Sequence, residues 1–129
     1  MAWIRGVITM HCPFCNPKET VVSNELAFAI YDKYPVSPGH MLIIPKRHVA
    51  DFFDTTPEEK RAVLEILDRS KKMLDEEMAL DGYNVGINCG SAAGQTVFHV
   101  HVHLIPRYAG DIDNPRGGVR GVIPGKRVY

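Results

Sequence analysis

Three histidines at alternate positions, His99, His101 and His103, stand in the run Phe98-His-Val-His-Val-His-Leu-Ile-Pro106. Successive side chains of a β-strand point to opposite faces, so positions i, i+2 and i+4 share one. The spacing predicts three imidazoles projecting together, with Val100, Val102 and Leu104 turned into apolar surroundings. A strand gains no stability from such crowding, because neighbouring imidazoles repel whenever two are protonated. The pattern therefore points to a metal site or to a nucleophilic or acid–base site.

The flanking residues favour the second. Gly90 and Gly94 bracket a loop of small residues, Asn88 precedes it, and Gly94-Gln95-Thr96 leads into the histidines. Glycine lets backbone donors approach an anion closely, and amide and hydroxyl side chains add to them. Anion donors beside clustered imidazoles suggest phosphoryl chemistry. On these residues the chain resembles the histidine triad family of nucleotide-binding proteins, whose signature is His-x-His-x-His followed by two apolar residues. His99 to Ile105 matches it without a gap. The resemblance runs from about Cys12 to at least Asp111 and takes in the Gly39-His40 turn and the Gly-Gln-Thr approach.

The chemistry follows from both lines. A phosphoanhydride resists attack because its negative charge repels nucleophiles. A neutral imidazole avoids that repulsion and splits one hard displacement into two easier ones. His101, the middle histidine, matches the family nucleophile, with its other ring nitrogen held as a donor by a backbone carbonyl. The resemblance implies that His103 and His40 contact the phosphate and assist the leaving group. Gln95, Thr96 and Asn88 are then expected to hold the non-bridging oxygens. Asp32, eight residues before His40, matches the family carboxylate that accepts from ribose hydroxyls; a simple turn residue is the other reading. Ile30 and Phe28 are expected at the base pocket, with Phe28 equally suited to the core.

Cys12-Pro-Phe-Cys15 is a closely spaced pair, and Cys89 is the one further cysteine. Asn16-Pro17 follows as a turn, where a thioredoxin-like redox pair would be followed by a helix. A zinc site needs two more ligands, for which His11, His48 and His99 are candidates; the alternative is a reduced, metal-free pair. Family members carrying this pair bind zinc through both cysteines, a histidine after the Pro-Lys segment and the first triad histidine. By that resemblance the set is Cys12, Cys15, His48 and His99, one structural zinc per chain without an open position, which leaves catalysis to His101 and His103. A divalent cation is further expected with a polyphosphate substrate.

The elements that must position these groups are legible in outline. Ala27–Tyr31 reads as a strand, Asp32–Gly39 as a turn-rich connection, and His40–Pro45 as a short buried strand. Thr56-Pro57-Glu58-Glu59 announces a helix: Thr56 caps, Pro57 suits the first position and Glu59 completes a capping box. Ala62, Val63, Leu67, Leu74 and Met78 form its core face, and Gly82 is expected to end it. Tyr83–Asn88 and Thr96–Ile105 supply two more strands. This order predicts an α+β fold with a mainly antiparallel sheet. The resemblance implies a HIT-like fold: five antiparallel strands, one long helix and a shorter N-terminal helix or turn, paired as a homodimer with continuous sheets. Residues 1–129 are expected to form a single HIT domain, with 1–10 an extension and 108–129 an irregular tail.

With Lys plus Arg at 15 and Asp plus Glu at 15, no global basic field suggests nucleic acid. Arg116, Arg120, Lys126 and Arg127 gather near the end of the chain, as a solvated tail or a polyphosphate contact. Met1–Met10 is too short and polar-interrupted for a signal peptide or membrane span, so a reducing cytoplasm is the expected compartment. Leu104–Asp111 resembles the fragile histidine triad and diadenosine polyphosphate hydrolase branch and lacks the Gly-Gly-Arg ending of the phosphoramidase branch. The expected activity is cleavage at the α-phosphate of a dinucleoside polyphosphate through a nucleotidyl-histidine intermediate. Phosphoramidase, nucleotidyltransferase or phosphorylase action, and a nucleotide-binding regulatory module, stand as alternatives.

Overall fold

A computed structural model describes residues 12–129; His11 and the extension 1–10 lie outside the described residues. Five strands, β1 (Val22–Ser23), β2 (Ala27–Tyr31), β3 (Met41–Pro45), β4 (Gly82–Ile87) and β5 (Val102–Arg107), and one long helix, α1 (Pro57–Glu77), make up the α+β fold. Sheet order is β1-β2-β3-β5-β4, every neighbouring pair antiparallel. Near the start of the described chain, Cys12 to Cys15 close a turn through the Cys15 N–H donating to the Cys12 carbonyl at 3.3 Å.

Strand periodicity divides the work between the two faces of the sheet. Ala27, Ala29, Met41, Ile43, Val102 and Leu104 pack against Val63, Ile66 and Leu74 of α1. The intervening residues Phe28, Leu42 and Ile44 gather with Phe14 on the opposite face, edged by Ile30 and Val97. Phe28 is therefore a core residue of that second face, at 3 % exposure.

The helix begins as its sequence dictates. Thr56 Oγ1 accepts from the Glu59 N–H and the Glu59 carboxylate accepts from the Thr56 N–H, with Pro57 in the first turn. Ile66, absent from the expected core face, takes its centre, while Ala62, Leu67 and Met78 pack at its margin. The helix ends at Glu77, short of Gly82, which opens β4 instead. Met78 is already extended, and the Asp81 N–H donates to the Arg107 carbonyl at 2.9 Å, so sheet pairing claims this stretch before glycine is reached.

Glu59 has a second partner. Its carboxylate receives Nε and Nη2 of Arg47, both at 2.9 Å, which ties the segment after β3 to the start of α1. The Arg47 hydrogen bonds, helped by the Thr56 N–H and opposed by burial, hold the Glu59 carboxyl down at about 2. A depressed carboxylate stabilises the fold above its ordinary value near 4.3, and that contribution is lost as pH falls from there towards about 2. Glu59→Gln keeps the cap geometry and removes the charge. It is expected to cost about 2 kcal/mol at pH 7, since hydrogen bonds to a charged partner are worth that much, and almost nothing at pH 2. Urea denaturation at both pH values checks this; an equal penalty at the two would remove the ion pair from the account.

The tail is more organised than its composition predicts. Short 3-10 turns cover Gly118–Val122 and Pro124–Lys126. Arg127 straps them by donating to the carbonyls of Asn114 at 2.6 Å and Arg116 at 2.7 Å. Arg116 and Arg120 lie over the Tyr129 ring at 4.9 and 4.8 Å. These guanidinium groups serve the tail itself, and among the described residues none of these contacts reaches the histidine cluster.

Candidate functional site

The triad run departs from the uniform strand its periodicity predicts. Pairing of β5 with β3 stops at Val102 opposite Ile43, and of the three histidines only His103 lies in β5. Pro45 is the reason. It has no N–H to offer the strand opposite, its carbonyl is taken by His99 Nε2 at 2.7 Å, and the Val100 N–H donates to the Val49 carbonyl at 2.8 Å instead. The chain bends at Phe98 and His99, and His99 swings away from a shared face into a wholly buried position, at 0 % exposure. His101 and His103 remain neighbours, their ring centroids 5.2 Å apart.

His99 meets the cysteines. Its Nδ1 lies 3.4 Å from Cys12 Sγ and 3.6 Å from Cys15 Sγ, and Cys15 Sγ lies 3.2 Å from His48 Nδ1. The four ligand atoms all fall within 4.8 Å of one another. In a tetrahedral site with Zn–S near 2.3 Å and Zn–N near 2.0 Å, adjacent donors sit about 3.5 Å apart, so the dimensions fit such an ion. The donor chemistry fits too. Burial, and then the adjacent Cys12 sulfur, push the Cys15 thiol up to about 11, and a dication among the sulfurs would relieve that crowding. His99 Nε2 donates to the Pro45 carbonyl at 2.7 Å, which fixes the ring with Nδ1 inward. The ladder-stopping proline thus also orients a candidate metal ligand.

On the same face stands a second constellation. His101 Nδ1 is 2.8 Å from the His99 carbonyl, a group that only accepts, so the ring proton resides on Nδ1 and Nε2 keeps its lone pair. His40, at 2 % exposure, lies behind His103, with Nε2 2.9 Å from His103 Nδ1 and 3.4 Å from Asp32 Oδ2. Burial, then the charges of His101 and His40, push the His103 imidazole down to about 4, Asp32 opposing. Burial likewise lowers His40, with Asp32 opposing. Both rings are neutral near pH 7. His103 is thus a neutral hydrogen-bond donor there, and His40, enclosed by protein partners, supports His103 and has no ring nitrogen free for phosphate.

The remaining expected residues divide. Asp32 Oδ1 caps the turn by accepting from the Tyr34 N–H at 2.9 Å, while Oδ2 faces His40, so the carboxylate has turn and site contacts together. Thr96 is exposed, and Asn88 and Ile30 are half-buried. Gln95 requires correction as a phosphate donor. It is buried, its Nε2 donates to the carbonyls of Ala50 at 2.7 Å and Val97 at 3.2 Å, and its Oε1 accepts from the Gly90 N–H at 2.8 Å. A primary amide has two N–H groups, and both are committed to shaping the loop.

Phe14 was not among the expected site residues. Its ring stands 5.0 Å from that of His101 and packs edge-on to His99 at 6.1 Å, joining the two constellations. The available signal was an aromatic between two presumptive metal ligands. A cleft of about 310 Å³ opens on this side, lined by Cys15, Pro17, Thr20, Ser23, Phe28 and Lys46.

Three comparisons bear on this arrangement. The HIT domain profile matches residues 14–110. The bis(5'-adenosyl)-triphosphatase of Dictyostelium discoideum is 41% identical over 96 residues, covering 74% of this chain and 64% of that protein. An AP-4-A phosphorylase of Mycobacterium tuberculosis is 33% identical over 92 residues, 70% of this chain but 47% of that protein. The crystal structure of a Zn-bound histidine triad family protein from Mycobacterium smegmatis aligns with a TM-score of 0.72 at 38% identity, covering 80% of this chain and 79% of that one.

Proposed function

The chain belongs to the histidine triad (HIT) family of nucleotide-processing enzymes, and from that premise we propose that it cleaves dinucleoside polyphosphates at an α-phosphate through a nucleotidyl adduct on His101. The observation that carries the proposal is the fixed orientation of His101. With Nδ1 committed to the His99 carbonyl at 2.8 Å, Nε2 offers an unprotonated lone pair without any carboxylate base. In the first step Nε2 bonds to phosphorus as the bond from phosphorus to the bridging oxygen breaks, and the remaining nucleotide leaves with that oxygen. In the second, water attacks phosphorus, the His101–phosphorus bond breaks, and a nucleoside monophosphate departs.

His103 donates a neutral N–H to phosphate oxygen, where it stabilises charge without a proton needing to be bound first. Thr96 and Asn88 supply further donors, and Asp32 and Ile30 take the ribose and base. Asp32 has lone pairs beyond the one used by Tyr34. Cys12, Cys15, His48 and His99 would hold one structural zinc, which would supply a cross-link between the segment carrying His99 and the N-terminal turn, and the hydrolytic chemistry falls to His101. A divalent cation accompanies the polyphosphate. The protein works as a cytoplasmic homodimer. The similarity to an AP-4-A phosphorylase supports a second reading, in which orthophosphate replaces water in the second step.

A substrate panel tests this directly. Diadenosine tri- and tetraphosphate and adenosine phosphoramidate are each incubated with the zinc-loaded protein, with and without orthophosphate. AMP is the expected product from both dinucleotides, with ADP from the triphosphate and ATP from the tetraphosphate. From the tetraphosphate, ADP in place of AMP, formed only with orthophosphate, would move the assignment to the phosphorylase reading. Preferential turnover of the phosphoramidate would overturn the substrate class, and no turnover of any of them would overturn the activity.

A further inference from the structure

We propose that the loop Pro35–Gly39 is a tautomer lock for the site, with the Val36 N–H as its key and Ser37 and Tyr108 as the positioning residues that hold it closed; the proposal rests on the catalytic reading above.

The argument begins with what each group is able to do. A backbone N–H can only donate. The Val36 N–H meets His40 Nδ1 at 3.0 Å, so Nδ1 accepts and the proton of the neutral ring resides on Nε2. That Nε2–H points at His103 Nδ1, 2.9 Å away, so His103 in turn accepts at Nδ1 and carries its proton on Nε2. His101 is set the opposite way, because its Nδ1 faces a carbonyl at 2.8 Å. Adjacent rings thus hold opposite tautomers, one presenting a lone pair and the other an N–H. One backbone carbonyl and one backbone amide write this difference, and the Asp32 carboxylate, 3.4 Å from His40 Nε2, acts in the same sense as the amide. Were His40 to carry its proton on Nδ1, two buried donors would face each other, and His103 would lose the partner that aligns it.

The lock depends on a loop that no apolar side chain of its own anchors: Val36 is 74% exposed, and Tyr34 just before the loop is 81% exposed. What fastens the loop is a pair of hydroxyls. Ser37 Oγ donates to the Pro106 carbonyl at 2.7 Å, and the Tyr108 hydroxyl donates to the Pro38 carbonyl at 2.8 Å. Gly39 completes the closure at φ +89, where an added Cβ would lie 2.7 Å from Met78 Sδ and 3.2 Å from Pro106 Cγ. Both hydroxyl contacts bind the loop to β5 or the residue just past it, and β5 carries His103. One strand therefore holds both the loop that carries the amide and the imidazole at the far end of the relay, while the β3 register of Leu42 opposite His103 sets His40 between them.

The test reads the tautomers themselves. Zinc-loaded protein with ¹⁵N-labelled histidine is compared by NMR, without substrate, as wild type, Ser37→Ala, Tyr108→Phe and the double variant. In wild type, His40 and His103 are expected as Nε2–H tautomers and His101 as Nδ1–H. In the double variant the His40 and His103 resonances should move towards a tautomer mixture, with kcat reduced about tenfold and KM nearly unchanged. Ser37→Thr in the Tyr108→Phe background, which restores one hydroxyl, should recover most of the loss. Either single variant serves if the double one does not fold. Wild-type resonances in variants with lowered melting temperature would show hydroxyls of merely structural value and overturn the proposal. Scrambled tautomers with undiminished kcat would overturn it equally. Because the resonances are read without substrate, failure of the substrate panel leaves this result standing, and the two readings fail separately.

Discussion

Replacement of His101 by Ala is expected to lower turnover of the preferred dinucleotide by about four orders of magnitude, in line with the loss of a covalent nucleophile. Nucleotide binding should remain measurable, because Asp32, Thr96, Asn88 and His103 are untouched. His101 is half-buried and contributes no side chain to either apolar cluster, so the folded structure should survive the change. The packing of Phe14 against the imidazole at 5.0 Å limits what a substitute is able to do. Asn at this position offers no ring nitrogen to phosphorus and should be as inactive as Ala. Single-turnover experiments on wild type should also trap a nucleotide on His101, released by water and detectable by mass spectrometry after acid-free quenching. A His101→Ala enzyme with near-normal turnover would remove the covalent mechanism, since no other ring in the cluster has a lone pair oriented away from protein partners.

The second large effect concerns the metal. Protein prepared without chelators should contain about one zinc per chain, and its removal should lower the melting temperature by about 10 °C or more, as expected when several kcal/mol of metal binding is coupled to folding. Cys12→Ser should reproduce that loss. An ion held there would join the Cys12–Cys15 turn to His48 after β3 and to His99 at the bend, segments that, among the described residues, are linked through the hydrogen bond from the Val100 N–H to the Val49 carbonyl. Activity should fall less steeply than stability below the new melting point, because His101 draws its orientation from a carbonyl and not from the metal. Elemental analysis without zinc after metal-supplemented expression would contradict the assignment.

The alternation in the triad run was legible as chemistry, and Val100, Val102 and Leu104 are indeed buried behind it. What alternation did not disclose was the bend. Periodicity describes a strand as if its partner continued, and here the partner ends in Pro45, 54 positions before His99 in the chain. The helix start was readable because a capping box is local, whereas its end was set by the Asp81–Arg107 pairing, which is not. Gln95 illustrates the same limit. A polar residue beside histidines resembles a substrate donor in one dimension, but the carbonyls of Ala50 and Val97 that consume its amide become neighbours only on folding. His40 was recognisable as part of the site through its resemblance to the family pattern; its place behind His103 depends on the register Leu42 opposite His103.

The two-faced sheet has a consequence for how this protein can change. Along β2 and β3, odd-numbered residues serve the helix and even-numbered ones serve the site. Mutations at residues without shared partners tend to combine additively. Volume-conserving changes at Phe28, Leu42 and Ile44, buried beneath the site, and at the partly buried Ile30 should therefore be felt at the site, while Ala27, Ala29, Met41 and Ile43 keep the helix side of the sheet unchanged. Evolvability here is a matter of parity. Redesign of specificity should advance in steps of two residues, and any insertion of a single residue within these strands would exchange the two inheritances at a stroke.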